Sequence, residues 1–258
     1  MIDIHTHILA GLDDGSNDQS EVLNIIKQMS QNGVKTVFAT PHYLEGMYNN
    51  HDITIKNAVK DLQDKIQAEN IDIKLLRGCE VYLTPNSPID IERENLQYFD
   101  TNYCLVECNV NSLETEVYQN LFNVLRRGYR PVLAHPERYR FIMSSSKAAK
   151  ELIKRDVYFQ INSGSLLGLY GKKVKETAWK LVHNGYAHFV ASDTHCKELE
   201  YNLKQAYDKV VEHIDETSAT LLFKTFPAKM MQNESIPTFY VEVHSSSRHR
   251  KKSLFRWL

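Results

Sequence analysis

Histidine and carboxylate side chains recur along this sequence, most of them directly after short apolar runs. The candidates are His5, His7, Asp13, Asp14, His42, Glu80, Glu107, His135, Asp193 and His195. Imidazole nitrogens and carboxylate oxygens together suit Mn, Fe or Zn. Because this set exceeds the needs of one ion, we expect two or three divalent ions. Closely spaced cations make a shared water acidic and neutralise a phosphate, as phosphoester hydrolysis requires.

Arginine and glycine residues near these motifs suit an anionic substrate. Arg138 lies three residues after His135 and could hold phosphate oxygens with its planar guanidinium. The segment NSGSLLGLYGKK contains three glycines, which either shape a loop beside the site or offer backbone N–H groups to an anion.

Other phosphate chemistries find no support in the sequence. A cysteine phosphatase needs an arginine six residues after its nucleophile. The residues at that spacing from the four cysteines are Pro85, Val110, Glu114 and Asn202. Glycine-rich nucleotide loops of the G-x-x-x-x-G-K-[ST] or G-x-G-x-x-G type are also missing from the sequence, which weakens nucleotide-fold interpretations.

Short β-rich runs alternate with longer amphipathic stretches, and this order decides where the candidates lie. Seven strands are predicted, at Ile2–Ile4, Val34–Ala39, Ile73–Leu76, Tyr103–Val106, Val132–Ala134, Val157–Ile161 and His188–Ala191. Helices are predicted at Asp18–Asn32, Ile55–Glu69, Thr115–Arg127 and Lys173–Asn184. Repeated β-then-α units favour a parallel α/β barrel, in which residues that follow the strands converge on the C-terminal rim.

Length and composition agree with one barrel domain. A chain of 258 residues with a net charge of -1 fits a single α/β barrel and gives no reason to expect a nucleic-acid partner. Four cysteines without a C-x-x-C pair, and a start without a signal-peptide pattern, lead us to expect a cytoplasmic protein.

The C-terminal segment differs from the rest of the chain. Residues 244–258, HSSSRHRKKSLFRWL, carry five basic residues beside apolar ones, whereas residues 1–243 carry 26 basic against 32 acidic residues. We therefore separate a barrel domain (1–243) from a tail (244–258). The tail is either a solvated terminus or a peripheral contact with the inner face of an anionic membrane.

The motifs together resemble a known family. DIHTH, DDG, ATPHY, GCE, AHPER and SDTH, with the strand-end Glu107, look like the bacterial tyrosine phosphatases of the PHP (polymerase and histidinol phosphatase) superfamily. More narrowly, they resemble the CpsB type found in capsule and exopolysaccharide operons. The resemblance covers roughly residues 1–235. It implies a distorted barrel of seven β/α units that removes phosphate from tyrosines on the tail of a membrane-associated tyrosine autokinase, using a metal-activated hydroxide.

The resemblance also implies a division of the ligands among three ions, manganese first and Fe, Zn or Mg as alternatives. The ligand groups would be His5, His7, Glu80 and Asp193; Glu80, Glu107 and His135; and Asp14, His42 and His195. Arg138, Asp193 and His195 would act in catalysis, with Arg138 on the substrate phosphate.

One departure from the family pattern concerns the phosphate clamp. The family has a second arginine shortly after the last metal histidine, but this chain reads DTHCKELEYNL there. Lys197 would then bind substrate as a point charge, without the paired geometry of a guanidinium.

Two other functions stay open at this point. The first is a small-molecule phosphatase of the same superfamily, such as a histidinol-phosphate phosphatase. A lidded pocket would favour this function. The second is a non-catalytic module that binds metal only to hold its fold or recruit a partner. A complete ligand set argues against the second, since decayed sites lose ligands.

We predict that activity depends on metal and not on thiol. A chelator should abolish turnover of a phosphotyrosine substrate, because the candidate nucleophile needs a cation, and replacing all four cysteines by serine should spare most of it. Steady-state assays of metal-stripped protein check this, with the untreated protein as the control. Full activity after complete metal removal would contradict the prediction.

Overall fold

The computed structural model describes residues 1–197 and 200–237, and within them nine short strands pair in parallel. The strands are β1 (Ile2–Asp3), β2 (Thr36–Ala39), β3 (His42–Tyr43), β4 (Lys74–Arg77), β5 (Glu80–Tyr82), β6 (Tyr103–Glu107), β7 (Arg130–Ala134), β8 (Tyr158–Asn162) and β9 (Phe189–Ala191). One sheet has the order β1-β2-β4 and the other the order β3-β5-β6-β7-β8-β9.

Two of the seven predicted strands continue beyond a bend as second strands. The first bend, at Thr40 and Pro41, separates β2 from β3, and the second, at Gly78 and Cys79, separates β4 from β5. Proline cannot donate a ladder hydrogen bond, and a Cβ on Gly78 would lie 2.9 Å from Thr40 Cγ2. The predicted strands ended too early here, so His42 and Glu80 lie within strands rather than after them.

A bridge between the two ends of this arrangement makes it a distorted barrel. Thr6, after β1, pairs in parallel with Thr194, after β9. The Asp193 N–H donates to the His5 carbonyl at 2.9 Å, and the His7 N–H donates to the Thr194 carbonyl at 2.8 Å. The segment after the first strand is therefore held against the segment after the last strand, as the expected fold of seven β/α units requires.

The helices flank the strands. They are α1 (Gln19–Gln31), α2 (Asp52–Ala68), α3 (Ser87–Glu94), α4 (Glu114–Arg126), α5 (Arg140–Ser144), α6 (Ser146–Ile153), α7 (Ser163–Leu167), α8 (Lys172–His183), α9 (Leu203–His213), α10 (Glu216–Thr220) and α11 (Phe226–Met231), with a π-helical turn at Leu221–Thr225. The four predicted helices correspond to α1, α2, α4 and α8, and Asp18 caps α1 by accepting from Ser20 N.

Alternate strand residues face two separate cores. In β2, Val37 and Ala39 pack against the helices, whereas Phe38 packs with Leu105 and Phe189 inside the ring of strands. Both faces of the strands are therefore apolar, which is usual for buried parallel sheets and explains why the strands lack a polar face. This packing fixes the strand ends on which the candidate ligands lie.

The C-terminal helices pack against the inner core, and the chain beyond them is anchored to two strands. The hydroxyl groups of Tyr103 and Tyr158 donate to the carbonyl groups of Glu234 and Ile236. The segment 244–258, predicted as a basic and apolar tail, lies outside the described residues, and the domain boundary at residue 243 stays a prediction. No described helix has the length and apolar character needed to span a membrane.

Candidate metal centre

The structure brings the candidate ligands together at the C-terminal ends of the strands. Their donor atoms form three groups, each with all atoms within 4.8 Å of one another. The groups are His5, His7, Glu80 and Asp193; His7, Asp14, His42 and His195; and His42, Glu80 and Glu107. The first group is fully buried, whereas the second reaches the surface through Asp14.

The first group has the four residues that the family resemblance implies, and the other two differ from it by one residue each. His7 joins the group around Asp14, and His42 stands with Glu80 and Glu107 in the place expected for His135. His135 Nε2 remains close, at 3.2 Å from Glu80 Oε1 and 3.8 Å from Glu107 Oε2. The assignment of each ligand to an ion stays a prediction.

The imidazoles of His5 and His7 are oriented as metal ligands. His7 Nδ1 lies 2.6 Å from Asp13 Oδ2, and His5 Nδ1 lies 2.8 Å from Gln160 Oε1. Both partners are acceptors, so each Nδ1 carries the proton and each Nε2 is left with a lone pair. The two Nε2 atoms face each other at 3.1 Å. Two lone pairs at that distance repel unless a cation, either a proton or a metal ion, stands between them.

Glu80 supplies the oxygen on which the groups converge. Its side chain is 1% exposed, and its Oε2 lies 3.1 Å from His5 Nε2, 3.3 Å from His7 Nε2 and 3.1 Å from His42 Nδ1. Within the described part of the chain, none of these approaches has hydrogen-bond geometry. A buried carboxylate oxygen that is surrounded by nitrogen atoms without hydrogen-bond geometry fits a bridging metal ligand.

The pKa shifts report how strongly the buried carboxylates attract positive charge. Burial opposes ionisation of Glu80, but the charge of His5 and the hydrogen bond from His135 hold its pKa well below its usual range. Burial likewise disfavours the charged form of His5, yet the attraction of Glu80 and Asp193 raises its pKa to about 9. The buried carboxylates therefore favour bound cations at this position, and divalent ions match the charge of the cluster.

The DDG loop after β1 supports the second group. Asp13 accepts from the backbone N–H groups of Gly15 and His42 as well as from His7. Asp14 is about half exposed, and its Oδ1 lies 3.2 Å from His195 Nε2 and 3.4 Å from His42 Nε2. Asp13 was noted in the sequence without a role, and the structure shows it orienting His7.

Two candidate ligand residues adopt a backbone conformation that L-residues rarely take. His135 has φ of 36° and Asp193 has φ of 54°. Such left-handed residues cost free energy and concentrate at functional sites. Here each turns the chain at the end of a strand, where its side chain joins the cluster.

Arg138 lies at the edge of the first group. Its Nη1 is 3.7 Å from Asp193 Oδ2, and its guanidinium lies 5.4 Å from the centroid of the Tyr170 ring. The side chain is about one-third exposed. A Cβ on Gly164 would lie 3.0 Å from the Tyr170 ring, so the glycine-rich segment serves to seat this tyrosine beside Arg138.

Lys197 holds a backbone atom of the DDG loop. Its Nζ donates to the Asp14 carbonyl oxygen at 2.5 Å, and the residue is exposed. The ammonium group therefore lies near the second ligand group. Its binding of substrate stays a prediction.

The thiols are poor candidates for chemistry. All four cysteines are buried, and burial raises the pKa of Cys108 to about 12 and that of Cys79 well above its usual value. A thiolate nucleophile is thus disfavoured, in agreement with the missing Cys–Arg loop.

The sequence interpretation missed polar residues on β8, the one predicted strand without a candidate ligand. Gln160 and Asn162 are fully buried on the same face of that strand, and they contact His5 and Asp193. The available signal in the sequence was the Q-x-N pattern at the end of the predicted sixth strand. Tyr48, whose ring lies 5.5 Å from that of His42, was also missed.

Comparisons with known proteins agree with this geometry. The family model described as capsular polysaccharide synthesis, CpsB/CapC, matches residues 1–232. Tyrosine-protein phosphatase YwqE of Bacillus subtilis (strain 168) is 32% identical over 87% of this chain and 92% of its own length. Tyrosine-protein phosphatase CpsB of Streptococcus pneumoniae is 29% identical over 92% of this chain and 100% of its own length.

Solved structures also resemble this chain. One from a study of YwqE and CpsB, described as unique metal-dependent tyrosine phosphatases, matches with a TM-score of 0.85 at 30% identity, over 92% of this chain and 96% of that chain. An organophosphorus hydrolase variant from Deinococcus radiodurans, at 10% identity and a TM-score of 0.59, covers 89% of this chain and 92% of its own and shows a shared fold alone.

Gly15→Ala should disrupt the second ligand group. A Cβ at Gly15 would lie 2.3 Å from the His7 carbonyl oxygen, so the loop carrying Asp13 and Asp14 must move. We expect metal affinity and turnover to fall about 10- to 100-fold, the usual cost of disturbing supporting contacts of a metal site.

Gly33→Ala serves as the control, because Gly33 has a positive φ but open space around its Cβ position. It should lower the melting temperature and leave metal content unchanged. Equal metal content and turnover in Gly15→Ala and wild type would contradict the prediction.

Proposed function

Because this chain belongs to the CpsB/CapC family, we propose that it is a metal-dependent protein-tyrosine phosphatase acting in capsule or exopolysaccharide synthesis. The observation that carries the proposal is the set of three contiguous ligand groups, with Arg138 at their edge. The two relatives reported above are named tyrosine-protein phosphatases and align with most of this chain, which supports the same reaction class.

We assign roles to the site residues according to how deeply each is buried. Divalent ions bound by the three groups supply positive charge for the phosphate and make water acidic enough to lose a proton near neutral pH. His5, His7, Glu80 and Asp193 provide the buried anchor. Asp14, His42, Glu107 and His195 complete the ligand set toward solvent, and the buried His135 completes it beside Glu80.

Arg138 is proposed to bind and orient the substrate phosphate. Its guanidinium is held by the Tyr170 ring on one side and lies near Asp193 on the other, which limits its rotamers while leaving donors exposed. Two parallel N–H donors match two phosphate oxygens. Asp193 and His195 are proposed to act in catalysis at the same edge, and Lys197 to add a point charge.

An accessible rim favours a protein substrate over a small metabolite. Asp14 and Arg138 are both partly exposed, Tyr170 beside Arg138 is 43% exposed, and Leu169, which precedes Tyr170 in the chain, is 64% exposed. Such a surface suits a phosphotyrosine on an extended segment. We propose the tail of a tyrosine autokinase as the substrate and the cytoplasmic face of the membrane as the location, with residues 244–258 as the peripheral contact.

The proposal is tested by adding metal back to the stripped protein. Mn, Mg, Zn or Fe is supplied with either a phosphotyrosine peptide or histidinol phosphate, and phosphate release is measured. We expect Mn to restore turnover of the peptide preferentially. Preference for histidinol phosphate would favour the small-molecule alternative, and metal binding without any turnover would favour a non-catalytic module.

Arg138→Lys should impair catalysis without removing metal. Lysine keeps the positive charge but loses the two parallel donors, so kcat/KM toward the peptide should fall about 100-fold. Metal content, measured by elemental analysis, should stay at the wild-type value.

Arg140→Lys is the matched control, since Arg140 is exposed on the neighbouring helix α5. Its kinetics should be those of wild type. Unchanged kinetics in Arg138→Lys as well would mean that Arg138 makes only a structural ion pair with Asp193.

A further inference from the structure

We propose that Gln160 and Asn162 form a directional hydrogen-bond relay that positions two metal ligands, His5 and Asp193, for the same ion. Gln160 and Asn162 lie on β8, two residues apart, with both side chains 0% exposed. The inference rests on the metal site of the proposed function. It concerns residues that contact the ligands and not the ion.

The hydrogen bonds of the relay form a continuous series. His5 Nδ1 lies 2.8 Å from Gln160 Oε1, Gln160 Nε2 lies 2.9 Å from Asn162 Oδ1, and Asn162 Nδ2 lies 2.6 Å from Asp193 Oδ2. This series of contacts closes into a ring, because Asp193 Oδ1 is 3.2 Å from His5 Nε2. His5 and Asp193 are thus joined at one end by the relay and at the other by the shared ligand group.

The direction of every bond follows from Asp193. An ionised carboxylate only accepts, so the amide nitrogen of Asn162 must face it. The Asn162 oxygen then faces Gln160, which must present its own amide nitrogen there and its oxygen to His5. His5 Nδ1 consequently carries the proton, and the Nε2 lone pair is directed into the ligand group. Reversing any amide would place two donors or two acceptors in contact.

The anchor of the relay is the buried Glu137 of the AHPER motif. Its Oε1 accepts from the Asn162 backbone N–H at 3.0 Å, which fixes the end of β8 next to the turn that carries His135. Parallel pairing of β8 with β9 places Asn162 opposite Ala191, two residues before Asp193. The strand register therefore sets the reach of the Asn162 side chain, and a shift of one residue would turn both amides away from the site.

The test compares metal affinity with fold stability in Gln160→Met and Asn162→Leu, which keep approximate side-chain size and remove the hydrogen bonds. Affinity for Mn and Zn is measured by competition with a chelating dye, and melting temperature is measured on the stripped proteins. We expect each variant to lose about 10- to 100-fold in affinity, the usual effect of removing the hydrogen-bond partner of a metal ligand.

Tyr158→Phe is the matched control. It removes one buried hydrogen bond, to the Ile236 carbonyl, from the opposite end of the same strand. It should lower the melting temperature and leave metal affinity unchanged. If the two relay variants lose no more affinity than Tyr158→Phe, the amides serve only the packing of β8 and the proposal is wrong.

Gln160→Glu keeps an acceptor for His5 but removes the donor to Asn162, so it tests the His5 end of the relay even if Gln160→Met fails to fold. In the Zn-loaded protein, nitrogen NMR of the His5 ring should show the proton on Nδ1 in wild type and in Gln160→Glu. A proton on Nε2 in either protein would overturn the inference. Failure of wild type to bind any metal would instead count against the proposed function.

Discussion

The structure depends on the cost of keeping carboxylates ionised away from water. Glu80 and Asp193 are 1% and 5% exposed, yet both are held in the charged form by the imidazoles around them. An isolated buried charge is expensive, and it persists only where partners compensate it. The histidines, the amides of β8 and the left-handed turns at strand ends are arranged around this requirement. The same requirement makes the centre selective for cations.

The site divides into a buried half and an open half. The buried half is built from strand ends and the segments that directly follow them, which position its candidate ligand atoms more precisely than loops would. The open half, around Asp14, His195 and Arg138, lies in loops and turns that solvent reaches. A metal centre with one buried side and one solvent-accessible side can bind ions tightly and still admit a bulky phosphorylated segment.

Strand order was predictable from the sequence because each short β-branched run is a separate strand, and the His, Asp or Glu residues that follow most of these runs indicated where the candidate ligands lie. Two of the predicted strands nevertheless ended too early. The seven-unit barrel and the convergence of the candidate ligands followed from that pattern. The division of the ligands among ions did not follow from that pattern and stays a prediction. In the structure, His42 follows the bend at Pro41 and lies nearer than His135 to Glu107. Gln160, inside the predicted sixth strand, and Asn162, directly after it, escaped notice because a single amide in such a place resembles a solvated polar residue until its burial is known.

The bridge between Thr6 and Thr194 also determines when the centre can exist. His5 and Asp193 come from the first and last strands, so the innermost ligand group joins residues that are far apart in the chain. A chain still being synthesised lacks this group until the last strand has emerged, and contacts of such long separation form late. Metal bound at this seam ties the beginning of the barrel to its end, so metal binding reports that the whole barrel has assembled.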